Sequence, residues 1–334
     1  MIKRIYFEIT QACNLNCRYC FVNKDLSSKI LKLEEIINIL NQAKKYHPII
    51  TFSGSEPLMY PDLKEVLLYS KGLGLFTEIY TNGTLIDKKF AEFLVINQID
   101  NIRVSLDGPS KINDYLRKKG SYTKIVNAIK TINFYKKKYC SNLPYITLSP
   151  VISKKNLESL DFLITLAKKL KINRVHFLSL IWLNKKLAVS HIKELKTRLK
   201  IKDFYAEHLI NHLEKLNPDK YREKIKEIKL LAKKNGIIVD FWQSIDRDDF
   251  ADYWYSSKIK QKNIRRCGYI YDTVRIDQEG TVISCPLIRY PYGNLKKESL
   301  EKIWSGNKAK FFRNEITKNG LFPICYKCHR VLIE

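Results

Sequence analysis

Strand-like and helix-like segments alternate along the first half of the chain, and this alternation limits the fold more than any other feature. Residues 5–9, 49–52, 75–80, 102–106, 145–151 and 174–178 read as strands, being short and rich in β-formers. Residues 33–46, 61–69, 87–96, 122–135 and 156–170 between them carry apolar side chains at helical spacing. Strands separated by helices pair in parallel, and the helices cover the sheet. Six such units make an incomplete (β/α)6 barrel, an α/β fold whose reactive residues belong on the loops after the strands.

Those loops hold unusual residues. Cys13, Cys17 and Cys20 follow the first strand, three thiols within eight residues. Gly54, Ser55, Glu56 and Pro57 follow the second, and Thr81, Asn82 and Gly83 the third; Ser105, Asp107 and Gly108 end the fourth. Each alone is ordinary turn chemistry. Together they stand in register at one rim. The C-x3-C-x2-C group suits three corners of an iron–sulfur cube with one iron left open. Two other readings stay open at this point. The spacing also fits one face of a helix of small buried residues, and zinc would need a fourth ligand nearby. Against the helix, Asn14, Asn16 and Arg18 interleave the thiols.

Four more cysteines lie near the end: Cys267, Cys285, Cys325 and Cys328. The first two flank an expected hairpin, residues 274–276 and 281–283 with a turn near Gly280. Two thiols from a hairpin plus a C-x2-C can enclose zinc or a cube, and composition does not separate them. Between the two halves, residues 183–234 read as helices rich in Lys and Glu, a bridge or flank, ending at Asn235–Gly236. An aromatic and acidic stretch follows, including Trp242, Asp246, Phe250 and Trp254, and is either a cover for the barrel mouth or a packed linker. The expected divisions are 1–182, 183–261 and 262–334.

The chain has 334 residues, 45% of them hydrophobic, enough for a real core. No apolar run is long enough to span a bilayer, and no signal peptide is evident, so a cytoplasmic protein is expected. Eight cysteines in that setting argue for metal or catalysis over disulfides. The net charge is +26, but the lysines are spread over many helices and no nucleic-acid motif is present, so nucleic acid is not the expected partner.

On these residues the chain resembles the radical S-adenosylmethionine (SAM) superfamily, in the branch with a C-terminal SPASM or twitch extension. Cys13, Cys17 and Cys20 match that family's spacing, with aromatic Tyr19 directly before the last cysteine. Gly54-Ser55-Glu56-Pro57 is similar to its Gly-Gly-Glu-Pro segment, with Ser55 in place of the second glycine. The resemblance implies a TIM-like partial barrel and a [4Fe–4S] cluster on the three early cysteines. The fourth iron of that cluster is chelated by S-adenosyl-L-methionine. It implies cofactor contacts from Tyr19, Gly54, Ser55, Glu56, Asn82, Ser105, Asp107 and Arg117: Glu56's segment at the methionyl amine, Ser105 and Asp107 near the ribose, Arg117 at the carboxylate. Cys267, Cys285, Cys325 and Cys328 are then the ligands of one auxiliary [4Fe–4S] cluster, a twitch-like set.

The activity so implied is reductive cleavage of SAM to a 5′-deoxyadenosyl radical, which takes a hydrogen atom from substrate. A one-electron donor such as flavodoxin or ferredoxin is required. The expected outcome is oxidation or cross-linking of a peptide or protein side chain. Alternatives are oxidation of a sugar or cyclitol alcohol, epimerisation of a peptide, or a non-catalytic metal module for an acidic partner or RNA. Cys140, the remaining thiol, is expected at the far end of the barrel as a buried or incidental residue. No leader-binding domain fits before Cys13, so a peptide would need a separate recognition protein or the 183–260 region.

Overall fold

The computed structural model describes residues 1–20, 22, 30–181, 183–201, 217–241, 264–328 and 331–333. Six strands carry the barrel: β1 (Arg4–Thr10), β2 (Ile49–Gly54), β3 (Thr77–Thr81), β4 (Asn101–Val104), β5 (Tyr145–Leu148) and, after the two-residue β6 (Val151–Ile152), β7 (Arg174–Ser179). They pair in parallel in the order β1-β2-β3-β4-β5-β7. The helices between them are α1 (Leu33–Ala43), α2 (Leu63–Gly72), α3 (Lys88–Ile96), α4 (Ser110–Leu116), α5 (Ser121–Lys138) and α6 (Asp161–Lys169). The partial α/β barrel is the architecture expected from the sequence.

Strand pleat decides which side chains face which layer, because successive residues point to opposite faces. On β1, Ile5, Phe7 and Ile9 are fully buried in the hydrophobic core. Phe7 stacks on its register partner Phe52 with ring centroids 5.5 Å apart. The alternate residues, Arg4, Tyr6 and Glu8, belong to the other face. There they meet Thr51 and Ser53 of β2, Glu78 and Tyr80 of β3, and Arg103 of β4. This face is polar. Glu78 is bonded by Arg4, by Thr51 Oγ1 (2.8 Å) and by Asn101 Nδ2 (2.9 Å), with Arg103 Nε at 3.6 Å. Burial alone would raise the pKa of Glu78, but the two guanidiniums and the hydrogen bonds outweigh it and hold the carboxyl below its usual range.

Two edges of the sheet differ from expectation. After α7 (Lys185–Leu199) and α8 (Pro218–Asn235), the chain does not remain a helical flank. β8 (Ile238–Phe241) adds in parallel to β7, with His176 opposite Asp240 and Phe177 stacked on Phe241 at 4.9 Å. The strand is four residues long and only half-buried or exposed, so its pattern is too weak to stand out beside the charged helix before it. Gly236 closes α8 in the left-handed conformation, as the Asn-Gly pair suggested. The aromatic stretch after Phe241 lies outside the described residues up to 263. α4, at the rim, is a helix that sequence periodicity missed.

At the other edge, the expected hairpin forms from β10 (Thr273–Ile276) and β11 (Thr281–Ile283), followed by β12 (Pro291–Asn294). β9 (Ile264–Cys267), which precedes it, pairs with the terminal β13 (Val331–Ile333) in a separate two-stranded ribbon. The hairpin is not a detached module. β10 pairs in parallel with β1, Tyr6 opposite Arg275, so eleven of the thirteen described strands form one sheet. A largely buried ion cluster locks this seam. Arg275 Nη1 donates to Glu8 Oε1 at 2.6 Å, and Arg289 Nη1 donates to Glu8 Oε2 at 3.0 Å. Burial opposes the Glu8 charge, but the two guanidiniums outweigh it and lower its pKa. Removing one member of a buried ionic set leaves the others uncompensated. Glu8→Ala is therefore expected to lower stability by about 3–5 kcal/mol, read as a fall in the urea midpoint under anaerobic conditions.

Candidate active site

The cysteine loop leaves β1 through a tight approach to β2. Gly54 has φ of +123°, and a Cβ there would lie 2.6 Å from the Thr10 carbonyl oxygen, so only glycine lets the strands diverge at this point. Ser55 N then donates to Thr10 O (3.1 Å) and Glu56 N to Ala12 O (3.0 Å). These bonds hold the start of the loop against the end of β2. Asn82 Nδ2 donates to Asn14 Oδ1 (2.9 Å), and Asn14 Nδ2 to Thr84 Oγ1 (2.8 Å), tying the loop to the turn after β3. Its far side is held by the end of α4, where Arg18 N reaches Leu116 O at 2.9 Å. The ends of β2 and β3 and the end of α4 thus fix where the three thiols sit.

Two carboxylates stand behind this rim. Glu56 is fully buried and accepts from Thr81 Oγ1 (2.6 Å), Leu58 N (3.1 Å) and Asn82 N (2.7 Å). Burial raises its pKa in spite of these bonds. Asp107 is also fully buried. It takes the Arg117 fork at 2.8 and 3.0 Å, the Tyr19 hydroxyl at 2.5 Å and the Val151 amide at 2.9 Å. The resemblance put Asp107 near a ribose and Arg117 at a carboxylate. In the structure the two bond each other, and Arg117 is buried. Glu56 and Asp107 are absent from the cavity wall, whereas Tyr19, Gly54, Ser55, Asn82, Ser105 and Arg117 line it. Sequence spacing gave no sign of this, because the Asp107–Arg117 pairing depends on how α4 turns back over the strand ends.

The second set of cysteines reaches the same space. Cys267 ends β9, and Cys285 follows β11 and accepts from Ile288 N at 3.3 Å. Cys325 and Cys328 lie on a turn closed by Cys328 N to Cys325 O at 3.0 Å. Cys325 interacts electrostatically with the other three thiols. One cavity of about 370 Å3 is lined by Cys13, Cys17 and Cys20 and also by Cys267, Cys285, Cys325 and Cys328. Its wall further includes Tyr6, Tyr80 and Tyr269, the apolar Leu178, Leu180 and Leu287, and the Glu8–Arg275–Arg289 cluster. Cys140 is apart from all of this. It is exposed, in the turn before β5 at the opposite rim, an incidental thiol rather than a buried one.

The profile of the radical SAM superfamily matches residues 7–163, and that of the SPASM iron–sulfur cluster-binding domain matches residues 267–329. The chain carries a radical SAM domain. It is 29% identical over 243 residues to Fe-coproporphyrin III synthase of Methanosarcina barkeri, an overlap of 67% of this chain and 59% of that one. Over 170 residues it is 28% identical to the mycofactocin maturase MftC of Mycobacterium tuberculosis, covering 49% of this chain and 41% of the relative. The chain thus spans about two-fifths to three-fifths of these relatives' lengths. Crystal structures of Streptococcus suis SuiB share the fold at 17% identity. TM-scores are 0.70 with S-adenosylmethionine bound and 0.69 with the precursor peptide SuiA; each covers 95% of this chain and 68% or 67% of SuiB.

A radical SAM domain with a SPASM region binds a [4Fe–4S] cluster, SAM and auxiliary iron–sulfur clusters. The side chains here fit such groups. Burial pushes the Cys17, Cys285 and Cys325 thiols up, so their deprotonation calls for a bound cation such as cluster iron. Ser55 Oγ is buried at the cavity wall and has no hydrogen-bond partner among the described residues. A buried hydroxyl needs a partner, and a polar ligand in the cavity supplies one. Ser55→Ala is therefore expected to raise the Kd for SAM up to about tenfold, the worth of one hydrogen bond. Equilibrium binding to the reconstituted protein checks this, with an unchanged iron content as control.

Proposed function

We propose that this radical SAM protein cleaves S-adenosylmethionine reductively and removes a hydrogen atom from a peptide or protein side chain, leaving that side chain oxidised or cross-linked. One observation carries the reading: both cysteine sets open onto a single cavity. A substrate held there lies between a site of radical generation and a site able to take up the product-side electron. In this reading Cys13, Cys17 and Cys20 hold the SAM-binding cluster. Cys267, Cys285, Cys325 and Cys328 hold one auxiliary [4Fe–4S] cluster and complete its coordination. The cofactors supply the electron transfer and carbon–sulfur cleavage that no side chain can perform.

The chain's own residues position and protect. Glu56 braces the ends of β2 and β3, and the Asp107–Arg117–Tyr19 set fixes the last turn of the cysteine loop. Arg117 and Ser55 present polar atoms to the cofactor. The tyrosine rings and leucines exclude water, which would otherwise compete for a reactive carbon centre. The Glu8 cluster sets the spacing of the two halves of the cavity. The peptide class is supported by SuiB, seen bound to the precursor peptide SuiA, and by the maturase name of MftC. The overlap with Fe-coproporphyrin III synthase favours a second reading, a tetrapyrrole, and makes such compounds the first small molecules to assay. Among the described residues, no helix is long and apolar enough to cross a membrane.

Anaerobic reconstitution is expected to give roughly eight irons per chain, two cubes of four. Cys17→Ala should abolish SAM cleavage, seen as loss of 5′-deoxyadenosine and methionine. Cys325→Ala should keep measurable cleavage but form no oxidised product. Wild-type protein that holds zinc, or that never cleaves SAM when reduced, would overturn the reading.

A further inference from the structure

Cys17 is reached from two sides. Its inner side lines the large cavity, and its outer side lines a shallow concavity on the surface, walled by Arg18, Tyr115, Lys118 and Lys119. Arg117 also lines both spaces, whereas Arg18, Tyr115, Lys118 and Lys119 line only the outer one. We propose that it is the docking surface for an acidic one-electron carrier protein. The inference rests on the cluster assignment above but not on any particular substrate.

Four observations support it. The surface is basic: Arg18, Lys118 and Lys119 are all exposed, and Lys155 joins them with its Nζ 5.0 Å from the Tyr115 ring centroid. The acid in the concavity, Asp114, is spent locally. Its oxygens accept from Gly120 N (2.7 Å) and Tyr122 N (2.8 Å), and these bonds keep it ionised against its partial burial. The surface also has an aromatic centre. Tyr115 is 49% exposed and carries the Arg18 guanidinium 4.2 Å from its ring centroid. Tyrosine and arginine are the side chains most often central to protein interfaces. Finally, the surface is rigidly joined to the cysteine loop. Arg18 Nε donates to Tyr115 O (2.9 Å), and Lys118 Nζ to Asn14 O (3.1 Å).

Location distinguishes this patch from the lysines spread elsewhere. Electron transfer weakens steeply with distance, so a carrier must approach where a cluster ligand is nearest the surface. Arg18 is bonded directly to Cys17, and the exposed side of that residue is the outer concavity. An acidic carrier brought here by charge would place its redox group beside the thiol, and steering of this kind raises association rates by roughly 10- to 1,000-fold.

The test follows bleaching of the SAM-binding cluster by stopped flow in reconstituted Cys325→Ala protein, where the auxiliary cluster does not obscure it. Pre-reduced flavodoxin is one reductant, and the cationic methyl viologen radical is the other. The doubly reversed variant Lys119→Glu/Lys155→Glu is compared with its parent at low and high salt. The expected result is a flavodoxin rate at least about tenfold lower at low salt, a flattened salt dependence, and a viologen rate that is not reduced. An unchanged flavodoxin rate, or equal slowing with both reductants, would overturn the proposal. The readout needs no substrate, so failure to find a peptide product would leave this result intact.

Discussion

The pairing of β1 with β10, and the Glu8 carboxylate shared across that seam, is the joint on which the rest of the molecule depends. A parallel pairing between the first strand and one about 270 positions later is a long closure. It is costly in chain entropy and must be specified by strong local interactions. Arg275 and Arg289 supply them, both bonding one carboxylate in a largely dry setting. Without this joint the C-terminal cysteines would belong to a separate hairpin. With it they line the same cavity as the N-terminal trio.

The polar interior follows from the same strands. Most barrels fill their centre with branched apolar side chains. Here the inward face runs from the Glu78 network at the strand starts, through the tyrosine pair Tyr6 and Tyr80, to Glu8, Ser53 and Ser55 at the rim. Tyr6 links the layers: its ring meets Tyr80 edge-on at 5.9 Å, stacks on Tyr269 at 6.3 Å and lies under Arg275 at 4.7 Å. The closed end is sealed by satisfied charges, and the open end keeps polar atoms for ligands. The apolar face of the same strands packs on the helices, so stability and function occupy opposite sides of one pleat.

The rim residues show how positioning and binding divide. Ser55, Arg117 and Tyr19 reach the cavity, while Glu56 and Asp107 stand behind and hold the loops. Ser55, Glu56 and Asp107 are conspicuous in the sequence because each lies just past a strand. Their division of labour is invisible there, since a carboxylate beside a turn reads the same whether it faces a ligand or an arginine. The missed pieces have similar causes. β8 is short and poorly buried, and its hydrogen-bonding partner β7 is about 60 residues earlier. α4 is one helix of seven residues, too short for periodicity to register.

What the sequence determined by itself was local and periodic: the alternation of strands and helices, the period of two along each strand, the trio of thiols after the first strand, and the late hairpin with its flanking cysteines. These depend on neighbours within a few residues, so they can be read without knowing the fold. The tertiary structure alone decided which partners distant residues found. It joined the hairpin to β1, paired Arg117 with Asp107, and brought seven thiols to one cavity. Such choices depend on the closure of the whole sheet, because charges and sulfurs far apart in sequence acquire their meaning only from the surfaces they come to share.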